Sequence, residues 1–236
     1  MNVIKRFALL GTVLMSFLTG CVTQQENTAN SQTIPKAAVS SDTVKEIAQT
    51  GMSTAVPDIY LKPIEQAGTV TQITYDSKDF VRDESDITKT AYVYLPYGYD
   101  ENDTETRYNI CYLMHGWGGH AGEYFQYANI TDMLDNMIAK GDIPATIFVS
   151  ATFYNDNSDT GFSGSVAEFR QFHRDFEEYL MPAVEGKFHT YAESTSQDDL
   201  KASRDHRAFG GFSLGSVTTW LQFCYDSDYI RYFLPM

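Results

Sequence analysis

Near the end of a 236-residue chain, Gly211-Phe212-Ser213-Leu214-Gly215 sets a serine between two glycines at G-x-S-x-G spacing. That spacing suits a sharp strand-to-helix turn, which holds a serine Oγ out at the carboxyl edge of a sheet. The flanking Gly211 and Gly215 permit close backbone approach. The chemistry on offer is nucleophilic attack on an acyl carbon, with N–H groups of the following helix facing the developing oxyanion. A second turn, His115-Gly116, follows an apolar run and would carry the other oxyanion donor. The candidate pair is the backbone N–H groups of Trp117 and Leu214. G-x-S-x-G also arises by chance, and Ser213 could instead cap its helix. Two turns in the right context favour the nucleophile.

A serine nucleophile needs a base. The five histidines, His115, His120, His173, His189 and His206, all precede Ser213. His206 lies upstream on the same expected strand, some 23 Å away at about 3.3 Å per residue. His115 belongs to the oxyanion turn and reads as structural. His173 falls mid-helix, His189 follows that helix, and His120 sits in the oxyanion loop with no motif making it a base. The acids after the serine, Asp226 and Asp228, fall in a helix-to-strand turn at the opposite sheet edge.

Strands and helices must alternate to place these residues. Gly68–Tyr75 and Thr90–Leu95 alternate as strands, with a polar connection between them. Tyr108–Met114 is a strand running into His115, and Thr146–Ser150 is a continuous apolar strand of the buried, parallel kind. Ile130–Ala139 has helical spacing, and Val166–Phe188 is the longest helical pattern, kinked or restarted at Pro182. Tyr191–Arg204 reads as a polar loop. Arg207–Phe212 is a strand, Leu214–Tyr225 a helix, and Tyr229–Met236 begins another strand. The predicted class is α/β, with a largely parallel sheet.

Ahead of the domain, residues 1–21 read as an address. Lys5 and Arg6 precede the apolar run Phe7–Phe17, which is shorter than the roughly 20 residues a membrane-spanning helix needs. Leu18-Thr19-Gly20-Cys21 resembles a bacterial lipobox, making Cys21 the expected lipidation site. Residues 22–55, rich in Gln, Asn, Ser and Thr, read as a flexible tether. The expected domain occupies 56–236, and the expected location is the cell envelope, lipid-anchored and facing outward. Cys111 and Cys224 fall in apolar elements and read as buried free thiols.

A net charge of −14 argues against nucleic acid as a partner. No ligand cluster with metal spacing occurs, so neither metal nor organic cofactor is expected. Oligomeric state is left open.

Four stretches, YVYLPYGYD, YLMHGWGGHAGEYF, FRQFHRDFEEYLMPAVE and SRDHRAFGGFSLGS, resemble the esterase D-like family of α/β-hydrolases. Within it they are most similar to carbohydrate esterase family 1, the feruloyl and acetyl-xylan esterases. The resemblance runs from about Val70 to Met236. It implies an α/β-hydrolase fold with helices on both faces, and hydrolysis of ferulate or acetate esters on plant polysaccharide through an acyl-enzyme on Ser213. It also implies an acid after a later strand and a histidine after the last one, both beyond residue 236. On this reading the domain lacks its last strands, and the chain is C-terminally truncated and inactive as it stands. Two alternatives are an acyltransferase on the same scaffold and a non-catalytic polysaccharide-binding lipoprotein.

Overall fold

The computed structural model describes residues 56–126 and 129–236. The expected signal segment, the lipobox with Cys21 and the tether lie outside the described residues. The described residues belong to one compact unit, Ala55–Met236.

Six strands form one sheet in the order β1-β2-β4-β3-β5-β6. β1 (Thr69–Lys78) and β2 (Asp86–Leu95) pair antiparallel, and β2 runs antiparallel to β4 (Thr146–Ala151). From there β4, β3 (Asn109–Met114), β5 (Arg207–Gly211) and β6 (Tyr232–Pro235) are all parallel. The apolar runs of β3 and β4 are buried on both faces, as parallel strands covered by helices must be. The hairpin of β1 and β2 extends further than predicted, to Lys78 and back from Asp86, because cross-strand pairing carries the polar connection as strand.

Helix α1 (Glu123–Gln126) is a single turn, and α2 (Ile130–Lys140) ends on Gly141 at φ 78°, a left-handed cap that glycine adopts without strain. Its apolar side, with Met133, Leu134 and Met137, lies over the same sheet face as Cys111, Leu113 and Ala208. On the opposite face stand α3 (Phe162–Asp175), a π-helical turn (Phe176–Leu180), and α4 (Met181–Glu185). Phe172 and Phe176 pack there on Phe209, and Phe176 meets Tyr112 edge on at 4.9 Å. Pro182 explains the π turn. It lacks an N–H and its ring crowds the preceding turn, so the helix widens just before it and then resumes. α6 (Leu214–Tyr225) completes this layer against β5 and β6.

The stretch expected to be a loop holds a short helix, α5 (Gln197–Ala202). Ser196 caps it by accepting the Asp199 N–H at 3.2 Å, a Ser-x-x-Asp signal the sequence carried. Arg207, at 1% exposure, fixes the base of β5 through a double contact with Glu185 at 2.6 and 2.8 Å. Cys111 is a buried free thiol, its pKa raised to about 12 by burial. Cys224 is exposed, so the expectation of a buried thiol fails there. Helix α6 turns that position away from the sheet.

β6 is an edge strand. Phe233 turns toward Phe223 of α6, while Tyr232 and Leu234 face an open groove of about 940 Å³ on the α2 side of the sheet.

Candidate active site

Parallel β3 and β5 end side by side, with Met114 level with Gly211, so the turns that follow them meet. A Cβ on Gly211 would fall 2.6 Å from the Met114 carbonyl oxygen. One on Gly215 would fall 2.0 Å from that oxygen and 2.7 Å from the His115 carbonyl. Both glycines of the motif are therefore required by backbone contact with the neighbouring turn. Gly116 stands on the other side of that contact, where a methyl group would meet Ser213 Cβ at 3.3 Å.

Ser213 occupies the bend at φ 57°, ψ −117°, a conformation costly for a residue with a side chain. Its side chain makes no cap hydrogen bond to α6, and the residue is exposed. A cap serine would spend its Oγ on the helix; this one does not. Its own N–H donates to the Met236 carbonyl at 3.1 Å, and Met236 N–H donates to Gly211 at 2.8 Å, tying the bend to the edge strand. Leu214 N–H opens α6, and neither it nor Trp117 N–H has a protein acceptor among the described residues. Two uncommitted donors thus flank the serine turn, the feature an oxyanion needs.

The turn from His115 to Gly118 is held from beneath. His115 is fully buried, its Nδ1 2.7 Å from the Gly116 carbonyl and its Nε2 2.7 Å from Thr152 Oγ1. Burial lowers its pKa to about 4. A neutral ring then donates from Nδ1 to the carbonyl and accepts the Thr152 hydroxyl at Nε2, so both nitrogens are occupied. The ring stacks on Tyr154, whose hydroxyl accepts Gly118 N–H at 3.3 Å and contacts Ser165 Oγ at 2.7 Å. Tyr124 donates to the Met114 carbonyl at 3.1 Å and meets Phe212 edge on. Thr152, Tyr154, Ser165 and Tyr124 had no signal in the sequence. They reach the site through β4, α3 and α1, and only tertiary packing brings them there.

No other histidine faces Ser213 through any interaction among the described residues. His120 is exposed and accepts Gly122 N–H at Nδ1, 3.2 Å. His173 stacks on Tyr225 at the far end of α6, roughly 18 Å along the helix from Ser213 at about 1.5 Å per residue. His206 stacks on Tyr191 at 3.5 Å and meets Asn109 at the start of β3, the opposite edge of the sheet. His189 bonds through its carbonyl to Tyr108 N–H at that same edge. Asp226 is also there, past the C-terminal end of α6.

The "Putative esterase" family model matches residues 85–221. Endo-1,4-beta-xylanase Y of Acetivibrio thermocellus is 39% identical over 181 residues, which is 76% of this chain and 15% of that protein. Endo-1,4-beta-xylanase/feruloyl esterase of Xylanibacter ruminicola is 32% identical over 69% of this chain and 20% of its own. Among solved structures, a serine-to-alanine mutant of the feruloyl esterase module from Clostridium thermocellum, complexed with sinapinate, is 39% identical with a TM-score of 0.65. That match covers 76% of this chain and 57% of the module. The CE1 ferulic acid esterase of Anaeromyces mucronatus, at 23% identity and TM-score 0.56, shares the fold over 77% of this chain and 63% of its own. The chain belongs to the esterase family, in the esterase D-like group of α/β-hydrolases that holds the feruloyl esterases of carbohydrate esterase family 1.

Proposed function

We propose that the chain is the nucleophile-bearing part of a serine carboxylic-ester hydrolase acting on ferulate or acetate esters of a plant cell-wall polysaccharide such as xylan. The observation that carries this is the Ser213 bend: positive φ, an exposed serine with no capping bond, and two uncommitted amides beside it. The sinapinate bound to the similar module supports an aromatic acyl group, and the xylanase relatives support a xylan-borne one.

In this reaction Ser213 Oγ attacks the ester carbon as its proton passes to a base. The carbonyl oxygen becomes an oxyanion facing the Trp117 and Leu214 N–H groups. The intermediate collapses, the sugar oxygen leaves with the proton, and water cleaves the acyl-enzyme to release acid and free serine. His115 has both ring nitrogens occupied and no other histidine is placed against Ser213 among the described residues, so this reading expects slow turnover by the 236 residues without an added base. Membrane attachment through a diacylglycerol thioether on Cys21 is part of the same proposal, and would hold the enzyme at the outer face of the cell envelope.

The test uses the chain as it stands. Imidazole added to the buffer should accelerate p-nitrophenyl acetate hydrolysis more in the wild type than in Ser213→Ala, since the exposed Oγ is open to an external base. Equal acceleration in both would remove Ser213 from the chemistry.

A further inference from the structure

Next in the chain to Gly116, where a methyl group would meet Ser213 Cβ at 3.3 Å, Trp117 begins a pair of aromatic rings that the proposed chemistry does not use. Trp117 is 59% exposed and Phe162 41% exposed, although large aromatic side chains usually bury their area. The indole is not loose: its Nε1–H donates to the Thr160 carbonyl at 2.9 Å, and its ring meets Phe162 at 5.9 Å and 84°. The segment supplying Thr160 is polar and ordered. Arg82 bonds to the Asn157 carbonyl, Ser158 Oγ accepts Asn155 N–H at 2.8 Å, and Asp159 accepts Gly161 N–H at 2.8 Å. Asp156, Asn157 and Asp159 of that same segment are exposed.

The geometry points to a sugar subsite: Trp117, backed by Phe162, is a platform for one face of a neutral pyranose of the polysaccharide that carries the ester. A pyranose offers weakly positive C–H groups from one face and hydroxyls around its rim. An indole face is negative and takes the former, while exposed carboxylate and amide groups accept the latter. A protein partner would call for a larger continuous apolar patch than two rings set in an acidic loop. Those same carboxylates exclude an anionic sugar. The placement fits the esterase function proposed for Ser213, on which the subsite rests in part, because Trp117 follows Gly116, whose Cα lies against Ser213. A ring seated there would set an acyl-bearing sugar at the serine.

The experiment needs no turnover. Xylohexaose, which carries no acyl group, is titrated by calorimetry into the full chain and into Trp117→Ala, Trp117→Tyr, Phe162→Ala and Trp220→Ala. Expected are millimolar-range binding by the wild type and Trp220→Ala, roughly tenfold weakening in Trp117→Ala, partial recovery in Trp117→Tyr, and an intermediate loss in Phe162→Ala. Undiminished binding by Trp117→Ala, or no binding by the wild type, overturns the platform. Ser213→Ala should bind as the wild type does, so a failed esterase reading and a failed platform would be told apart.

Discussion

Replacing Asp226 by asparagine should stabilise the protein at neutral and alkaline pH and leave it unchanged in acid. Asp226 is fully buried, and neither carboxyl oxygen has a hydrogen-bond partner among the described residues. Burial, with Glu177 nearby as the lesser cause, raises its pKa from 3.8 to about 9. The folded state therefore keeps a proton that the unfolded chain loses above pH 4. A raised folded-state pKa gives stability that is complete below the unfolded value and drains away as pH climbs toward the folded one. Each unit removes about 1.4 kcal/mol, so roughly 4 kcal/mol is lost between pH 4 and pH 7. Against a typical stability of about 5–15 kcal/mol that is a large share. Asparagine has nearly the same shape and never ionises. His115, whose pKa is lowered to about 4, acts in the opposite sense on acidification, but equally in both proteins, so the difference isolates Asp226. Urea unfolding at several pH values between 4 and 8.5 measures it. Parallel pH profiles for the two proteins would show that the carboxyl is solvated or paired, and the reasoning would fall.

Three further outcomes are expected. Gly215→Ala places a methyl 2.0 Å from the Met114 carbonyl oxygen, with only backbone there to yield, and should cost about 1–3 kcal/mol or prevent folding, where Ser216→Ala is near neutral by thermal melting. Arg207→Met leaves the buried Glu185 charge without its partner and should lower stability by about 3–5 kcal/mol in urea titration; a loss below 1 kcal/mol would mean water reaches Glu185. Cys21→Ser should abolish labelling by radioactive fatty acid and release the protein from the membrane fraction, and persistent labelling would end the lipobox proposal.

The sheet was readable in advance wherever one strand decided its own fate. β3 and β4 carry apolar runs between turns and β5 leads straight into the G-x-S-x-G turn, and the expected spans of all three match to within two residues. Features that depend on a partner were not readable. The outer half of the β1–β2 hairpin has polar composition and becomes strand only through pairing. The widened turn before Pro182 was foreseen only as a kink or restart, since periodicity does not distinguish a π turn from either. At the site, the two turns and their glycines were legible because local spacing fixes them. The supports beneath were not, since Tyr154 and Thr152 acquire meaning only when β4 lies beside β3.

Whether Ser213 is the nucleophile is tested most directly by methyl ferulate hydrolysis in three proteins. These are the 236-residue chain, the same chain extended by the C-terminal strands of a similar feruloyl esterase, and the extended chain carrying Ser213→Ala. Turnover near background in the first, clear release of ferulate in the second and none in the third is the expected result, because no imidazole of the 236 residues faces the serine. Undiminished release by the Ser213→Ala protein would contradict the assignment of the nucleophile. Serine-dependent release by the 236-residue chain would contradict the assignment of its histidines, with His120 the first to replace.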